Sequence, residues 1–470
     1  MVKSFVTPND EGIVATSDSL SIQNAVDAAI REDVRRVLIP RINARTGKAQ
    51  WDIDKAIILS SNIEIVLDNC YLRQADGCMD NVFRNFDDEN VRKCLQEEQE
   101  NIIIRGIGNA VIDGGNHNGL YQKNSMKDGL PHVEKNNLIR LHNLRDFKLQ
   151  DFTLLNQRWW AINLLFVEEG IISGLTLKCD NGCHNQDGID LRLGCNNIII
   201  ENIRGYSGDD LIAMTGFYGG RESNKYQVRG KSIDIHDILI RNVVATSAEC
   251  TVIAMRNQSG VKLYNITVDG VHDTTSSVQL ANESPSFVFG FDLNNYSSPK
   301  SPYSTIRIGQ DGYYTDRETV LGEVYGIHVT NIHSRTNCAV LLNENIKDSY
   351  FGNIYAGKNV HRVITTRSCR AHQSYGCDMQ NVVFENVFYT PEDDNESVAF
   401  DFDINGRPHT LDNVFVKNAF VGSSKVSVNM KHGGRVTVSG LYGDGVGERI
   451  IVAEGGEVIL DGKLFAANDR

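Results

Sequence analysis

Two short stretches of this chain crowd carboxylates into turn-forming sequence. Cys183–Gly194 reads CHNQDGIDLRLG and carries Asn185, Asp187, Asp190 and Arg192; Tyr206–Gly216 reads YSGDDLIAMTG and carries Asp209 and Asp210. Asp187 and Asp209 lie 209 − 187 = 22 residues apart. Carboxylates held together repel, so at least one of the three is expected to keep its proton above the usual range. One protonated and one ionised carboxyl are what acid–base hydrolysis of a glycosidic bond needs: the first protonates the leaving oxygen, the second activates water. A lone Asp-Gly or Gly-Asp-Asp is ordinary turn chemistry. Two such turns, each running into an apolar strand (IDL, then LIAM), are more than that if a scaffold stacks them. Asp190 alternates with Arg192 after the first turn, where an ion pair or a solvated face accounts for both.

The scaffold shows itself as a repeat. A run of alternating β-formers followed by Asn, Asp or Gly and another apolar residue recurs at Asp151, Gly174, Asn202, Asn242, Asn265, Asn331, Asn353, Asn386, Asn418 and Gly440. The gaps are 23, 28, 40, 23, 66, 22, 33, 32 and 22; the shortest cluster near 22, 66 reads as three such steps, and the others fit one coil plus an inserted loop. A period of this size marks a solenoid, whose units bury their apolar faces only by stacking. Short Ile/Val-rich strands without intervening helical periodicity predict an all-β fold, a right-handed parallel β-helix. Asn suits the corners because it tolerates the left-handed conformation. A rung of about 4.8 Å then stacks Asp187 near Asp209 and Asp210.

The ends agree. Ser21–Arg31 places Ile22, Ala25, Val26, Ala29 and Ile30 on one helical face, with Asp18 or Ser19 as cap, and predicts the short N-terminal helix that covers the first coil. Residues 33–73 read as strands entering the coils. The polar stretches 217–231 and 284–304 read as insertions, where binding sites usually form. The whole chain is expected to be one β-helix domain: a cap at about 18–40, catalytic coils at about 140–320 and C-terminal coils at about 320–470.

Composition sets limits. With 47 basic and 60 acidic residues the formal charge is −13, which gives no general field for nucleic acid or anionic lipid. No run approaches the roughly 20 apolar residues of a membrane span. The first 17 residues lack a secretory h-region and cleavage site, so the expectation is a cytoplasmic protein or a secreted one whose leader has been removed. The 10 cysteines include no CxxC pair and match no zinc pattern, which predicts buried reduced thiols, with disulfides as the alternative.

Asn-x-Asp-Gly-Ile-Asp followed about one coil later by Gly-Asp-Asp-x-Ile-Ala resembles the paired signature of family-28 glycoside hydrolases, the polygalacturonase group. SIQNAVDAAI with VLIP, IGNAVIDGGN (Ile107–Asn116) and LLNQRWWAINLLF (Leu154–Phe166) resemble its cap, early Gly-rich coil and the coil before its catalytic turns. The resemblance runs from about residue 18 to 390 and is most specific from 140 to 215. It implies Asp209 as general acid, Asp187 and Asp210 as holders of the attacking water, and Asn185 in the same cleft. It implies no metal and no cofactor. The group's Gly-His-Gly segment is missing; its place falls at Ala248-Glu249-Cys250, with Glu249 as the possible replacement. Its Arg-x-Lys becomes Arg307-Ile308-Gly309, which keeps the Arg and loses the Lys, so the expectation at the scission subsite is a neutral sugar or one bound differently from the group's galacturonate.

Further candidates for the cleft are Trp160, which faces outward if Trp159-Trp160 is strand, His184 beside Asn185, and Tyr313-Tyr314. His236, His328 and His333 read as solenoid surface. The partner is thus a carbohydrate, with neither nucleic acid nor membrane, and the pattern assigns no oligomeric state. Two alternatives stay open: a polysaccharide lyase of the same architecture, using Ca²⁺ held by the Asp cluster and a basic residue, and a non-catalytic glycan-binding β-helix.

Overall fold

All ten repeat positions turn the chain through the left-handed region: the Asn and Asp residues have φ between 51° and 61°, and Gly174 and Gly440 have 68° and 67°. These values come from a computed structural model that describes residues 4–87, 96–120, 131–180, 183, 185–217, 226–248, 250–258, 260–275, 304–309, 319–366, 377–392, 397–402, 410–431, 433–453 and 455–467. The corners join short parallel strands, and the chain is a parallel β-helix with one N-terminal helix. It divides into two compact units, one built on Met1–Ile212 and one on Ile233–Ser286 with Ser297–Arg470.

In the first unit the ladder runs through Ile63–Asp68, Gln99–Ile107, Ile139–Gln150, Ile162–Ser173 and Asn196–Ser207. Register stacks Ile65, Ile104, Leu149, Ile172 and Ile200 in one core column. Every member is fully buried, and each such side chain contributes roughly 1.5–3 kcal/mol. Gly170 is required where it stands, because a Cβ there would fall 2.0 Å from the ring of Phe147 one rung below. The helix, Asp18–Arg31, buries Ile22, Ala25, Val26 and Ala29 and packs on Arg36–Pro40 and Trp51–Ile53. Its cap is Ser17, which accepts from the Leu20 amide, and not Asp18 or Ser19. Those two are otherwise engaged: Asp18 binds Arg45 and the Asp52 amide, and Ser19 Oγ accepts from the Asp54 amide.

In the second unit Ile235–Ser247, Leu263–Asp273, Val324–Ser334, Ile346–Ala356, Met379–Tyr389, Leu411–Phe420 and Gly434–Tyr442 stack in parallel. Asn386 donates to Asn353, which donates to Asn331, each at 3.1 Å, so the corner amides form a continuous hydrogen-bonded ladder. Two details of the repeat need correction. Asn265 belongs to the other corner, where it donates to Asp237 at 3.1 Å; its place in the Asn331 ladder is taken by Gly270. The 66-residue gap is therefore not three coils, since Leu263–Asp273 pairs directly with Val324–Ser334. His236, His328 and His333 stack outward on Tyr264, Tyr350 and Tyr355, as surface residues of a solenoid should. All eight described cysteines are free, and burial pushes the Cys70 thiol up to about 12. No described helix is long and apolar enough to cross a membrane.

Candidate active site

Both Asp turns lie in the first unit, at the mouths of consecutive rungs. The Gly188 amide donates to the Asp210 carbonyl at 2.9 Å and the Ile189 amide to the Leu211 carbonyl at 2.8 Å. Parallel register then sets Asp187 opposite Asp210, and the Asp209 amide reaches the Gln186 carbonyl at 3.4 Å. The rung here is 210 − 187 = 23 residues, one more than the spacing from Asp187 to Asp209 suggests. Asp187 and Asp210 are buried; Asp209 is half-exposed, and its carboxylate accepts from the Asp210 amide at 3.0 Å. Carboxylate oxygens of Asp209 and Asp210 come within 4.8 Å of each other. Two carboxylates bring at most four of the six to eight oxygens a Ca²⁺ ion takes.

The first turn is held by a relay of amides. Gln157 Nε2 donates to the carbonyls of Gln186 and Asp187, both at 3.0 Å, and Gln186 Nε2 returns to the Gln157 carbonyl at 2.6 Å. Gln186 Nε2 also reaches Asp180, which takes Arg158 at 2.8 Å. Asn185 is half-buried with φ 56°, the left-handed conformation that lets the chain enter the turn and that Asn accepts at low cost.

Trp159-Trp160 is a bend and not a strand, so the two rings do not alternate. Both are buried, 5.9 Å apart, against Leu120 and Val133. Trp160 is matched to Asp187 in register, and the Arg192 guanidinium lies 4.7 Å over its ring. Arg192 and Asp190 are both buried, which overturns the solvated-face reading. In the second unit, Arg307 lies in the strand Ser304–Ile308, buried, donating through Nε to the Gly309 carbonyl at 3.0 Å. His184, Glu249 and Tyr313-Tyr314 lie outside the described residues.

Sequence reasoning passed over Arg140, Asn163 and Glu134. Register places Arg84, Arg140, Asn163 and Asp190 in one column. Arg140 and Glu134 form an ion pair with both side chains only 1% exposed. Next to it, His142 Nε2 donates to the Tyr226 carbonyl at 2.5 Å, and burial brings its pKa down to about 4. The available signal was a polar residue at the same strand position in successive coils: IRL, INL, IDL.

Residues 85–220 match the model for glycosyl hydrolases family 28. Both Asp turns fall inside that match. No curated protein matches the sequence. Among solved structures, the family 28 exopolygalacturonase of Yersinia enterocolitica aligns over 98% of this chain and 79% of its own, at 15% identity and a TM-score of 0.50. The mannuronan C-5 epimerase A-module of Azotobacter vinelandii aligns over 93% and 99%, at 12% identity and 0.51. A tailspike protein of E. coli bacteriophage HK620, solved with a pentasaccharide, aligns over 98% and 79%, at 12% identity and 0.51. Identities this low speak for the shared β-helix and leave the chemistry to be argued from the site.

Proposed function

We propose that this chain is a glycoside hydrolase that cleaves a pectin-type or related polysaccharide or oligosaccharide with inversion. Asp209 is the general acid. Asp187 and Asp210 hold and deprotonate the attacking water, and Asn185 lines the same cleft. The observation that carries the hydrolase reading is the register of Asp187 against Asp210, with the half-exposed Asp209 carboxylate within 4.8 Å of Asp210; inversion rests on the likeness of the two turns to family 28 and not on this spacing. Hydrolysis needs one carboxyl to give a proton to the leaving oxygen and another to take one from water, and the two turns bring the groups for both together. Asp209 is the most exposed of the three, as suits a group that must meet a leaving oxygen. The match over residues 85–220 supports the same assignment.

The test is Asp209→Asn. Its thermal melt should equal the parent's, while reducing-end release from the best substrate of a pectic and general glycan panel falls by about 10²–10⁴-fold. An unchanged rate in the folded variant ends the assignment. An ultraviolet-absorbing product from the parent would show elimination instead.

A further inference from the structure

We infer that Gln157 is the positioning residue of the Asp site: one buried side chain, out of reach of any substrate, holds both Asp turns at once, and the rate of the reaction depends on it. The inference rests on the hydrolase reading above and deepens it by naming what fixes its acids relative to one another.

Three consecutive rungs meet at one carbonyl. Gln157 stands on the first and is fully buried. Its Nε2 donates to the carbonyls of Gln186 and Asp187, both at 3.0 Å, which belong to the two peptides on either side of the Asp187 Cα. Each peptide is planar, so fixing both of them fixes the direction in which the Asp187 side chain leaves the backbone. The Gln186 carbonyl is also what the third rung holds on to: it takes the Gly208 amide at 3.0 Å and the Asp209 amide at 3.4 Å. A single N–H₂ group therefore governs the base turn directly and the acid turn through one shared oxygen. Two carbonyls can be served only by the N–H₂ end of an amide, so the orientation of Gln157 is fixed. Gln186 Nε2 ties the arrangement from the other side, donating to the Gln157 carbonyl at 2.6 Å and to Asp180 at 2.9 Å. Gly188 lets the rungs come this close, because a Cβ there would run into the Leu211 carbonyl.

The coil itself does not depend on this side chain. Without Nε2 the Asp187 carbonyl keeps the Ala161 amide at 3.0 Å and the Gln186 carbonyl keeps Gly208, so neither is left buried and unpaired. The strands that follow stay in register, Ile162 on Ile189. What is lost is angular control of the carboxyls, and a displacement of about 1 Å from productive geometry costs about 100-fold in rate. Since Gln157 is sealed from solvent, the loss falls on the chemical step and leaves substrate binding alone.

The test compares the full chain with Gln157→Met, which keeps the length of the side chain and removes its donors. Steady-state kinetics on the best glycan of the panel are read beside hydrogen-exchange mass spectrometry of the peptides covering residues 185–211. In the variant kcat should fall about 10- to 100-fold, with KM within about twofold of the parent's and the thermal melt within a few degrees. Exchange in the peptide that carries Gly208 and Asp209 should quicken at least about tenfold. If Gln157→Met fails to fold, Gln157→Glu replaces it; its rate relative to the parent's should rise as pH falls and the introduced carboxyl gains an O–H to donate. An unchanged kcat in the folded variant, a KM that rises while kcat holds, or unmoved exchange in both turns overturns the inference. Collapse of both variants does so too, because Gln157 would then serve the fold alone. A parent chain inactive on every glycan, with exchange quickened in the variant, would sink the hydrolase reading and leave Gln157 as the holder of both turns.

Discussion

Two columns of side chains, one in each unit, are products of the same parallel repeat and have opposite characters. In the first unit Arg140, Asn163 and Asp190 follow one another up the ladder and are all buried. In the second, His272, His333, Tyr355, Phe388, Phe420 and Tyr442 do the same and lie open, Tyr442 at 59% exposure. The open column is chemically uniform: its rings stack, His333 on Tyr355 at 4.7 Å and Phe388 on Phe420 at 4.9 Å. The covered column is mixed, polar and charged. A repeat delivers positions about 4.8 Å apart and nothing more. Where like sits on like in water, the stack is scaffold; where unlike polar groups are sealed beneath other chain, the cost of burial makes the column a candidate site.

Burial alone does not make the distinction, and a second-unit acid shows why. Asp273 is fully buried, but its carboxylate is saturated by the amides of Thr275, Arg335 and Thr336 at 2.9 Å and by the Thr305 hydroxyl at 3.0 Å. It fastens a corner. Asp273→Ala should therefore cost about 3–5 kcal/mol in urea unfolding, the largest effect expected outside the Asp turns. A loss below about 1 kcal/mol would mean the corner holds without it.

His142 sharpens the contrast from the covered side. Burial is the main cause of its lowered pKa, with the Arg140 charge adding to it and the Tyr226 carbonyl opposing. The folded value near 4 lies below the unfolded 6.5, so between those values the unfolded chain binds the extra proton. Stability from this group is complete above pH 6.5 and is lost as pH falls toward 4, by about 3 kcal/mol for a shift of this size. Comparing His142→Gln with the parent across that window should remove this slope; an identical slope would place His142 in contact with solvent. The smallest effect belongs to the open column. Phe388→Ala should cost about 0.2–1 kcal/mol and leave kcat untouched, and a large loss of activity there would erase the line drawn between scaffold and site.

The corners were legible because conformation selects the residue: only Asn, Asp and Gly enter the left-handed region readily, so Asn331 or Asn386 betrays its own geometry. The Asp turns were legible through type and spacing together. Their register was less so, since the true rung of 23 residues differs by one from the 22 between Asp187 and Asp209. Ser17 was missed as the helix cap because Asp18 looks equally able until Arg45 claims it. Arg140 and Asn163 gave little warning, because the alternation of a strand says nothing of the turn Val133–Asn136 whose Glu134 takes Arg140.

The central claim is that water held and deprotonated by Asp187 and Asp210 attacks the anomeric carbon from one face while Asp209 protonates the glycosidic oxygen that leaves from the other. Proton NMR of the first-formed product, recorded before the anomers equilibrate, tests it most directly. The account predicts an anomer opposite to that of the cleaved linkage. Retention of the original anomer would require a covalent intermediate and would contradict it.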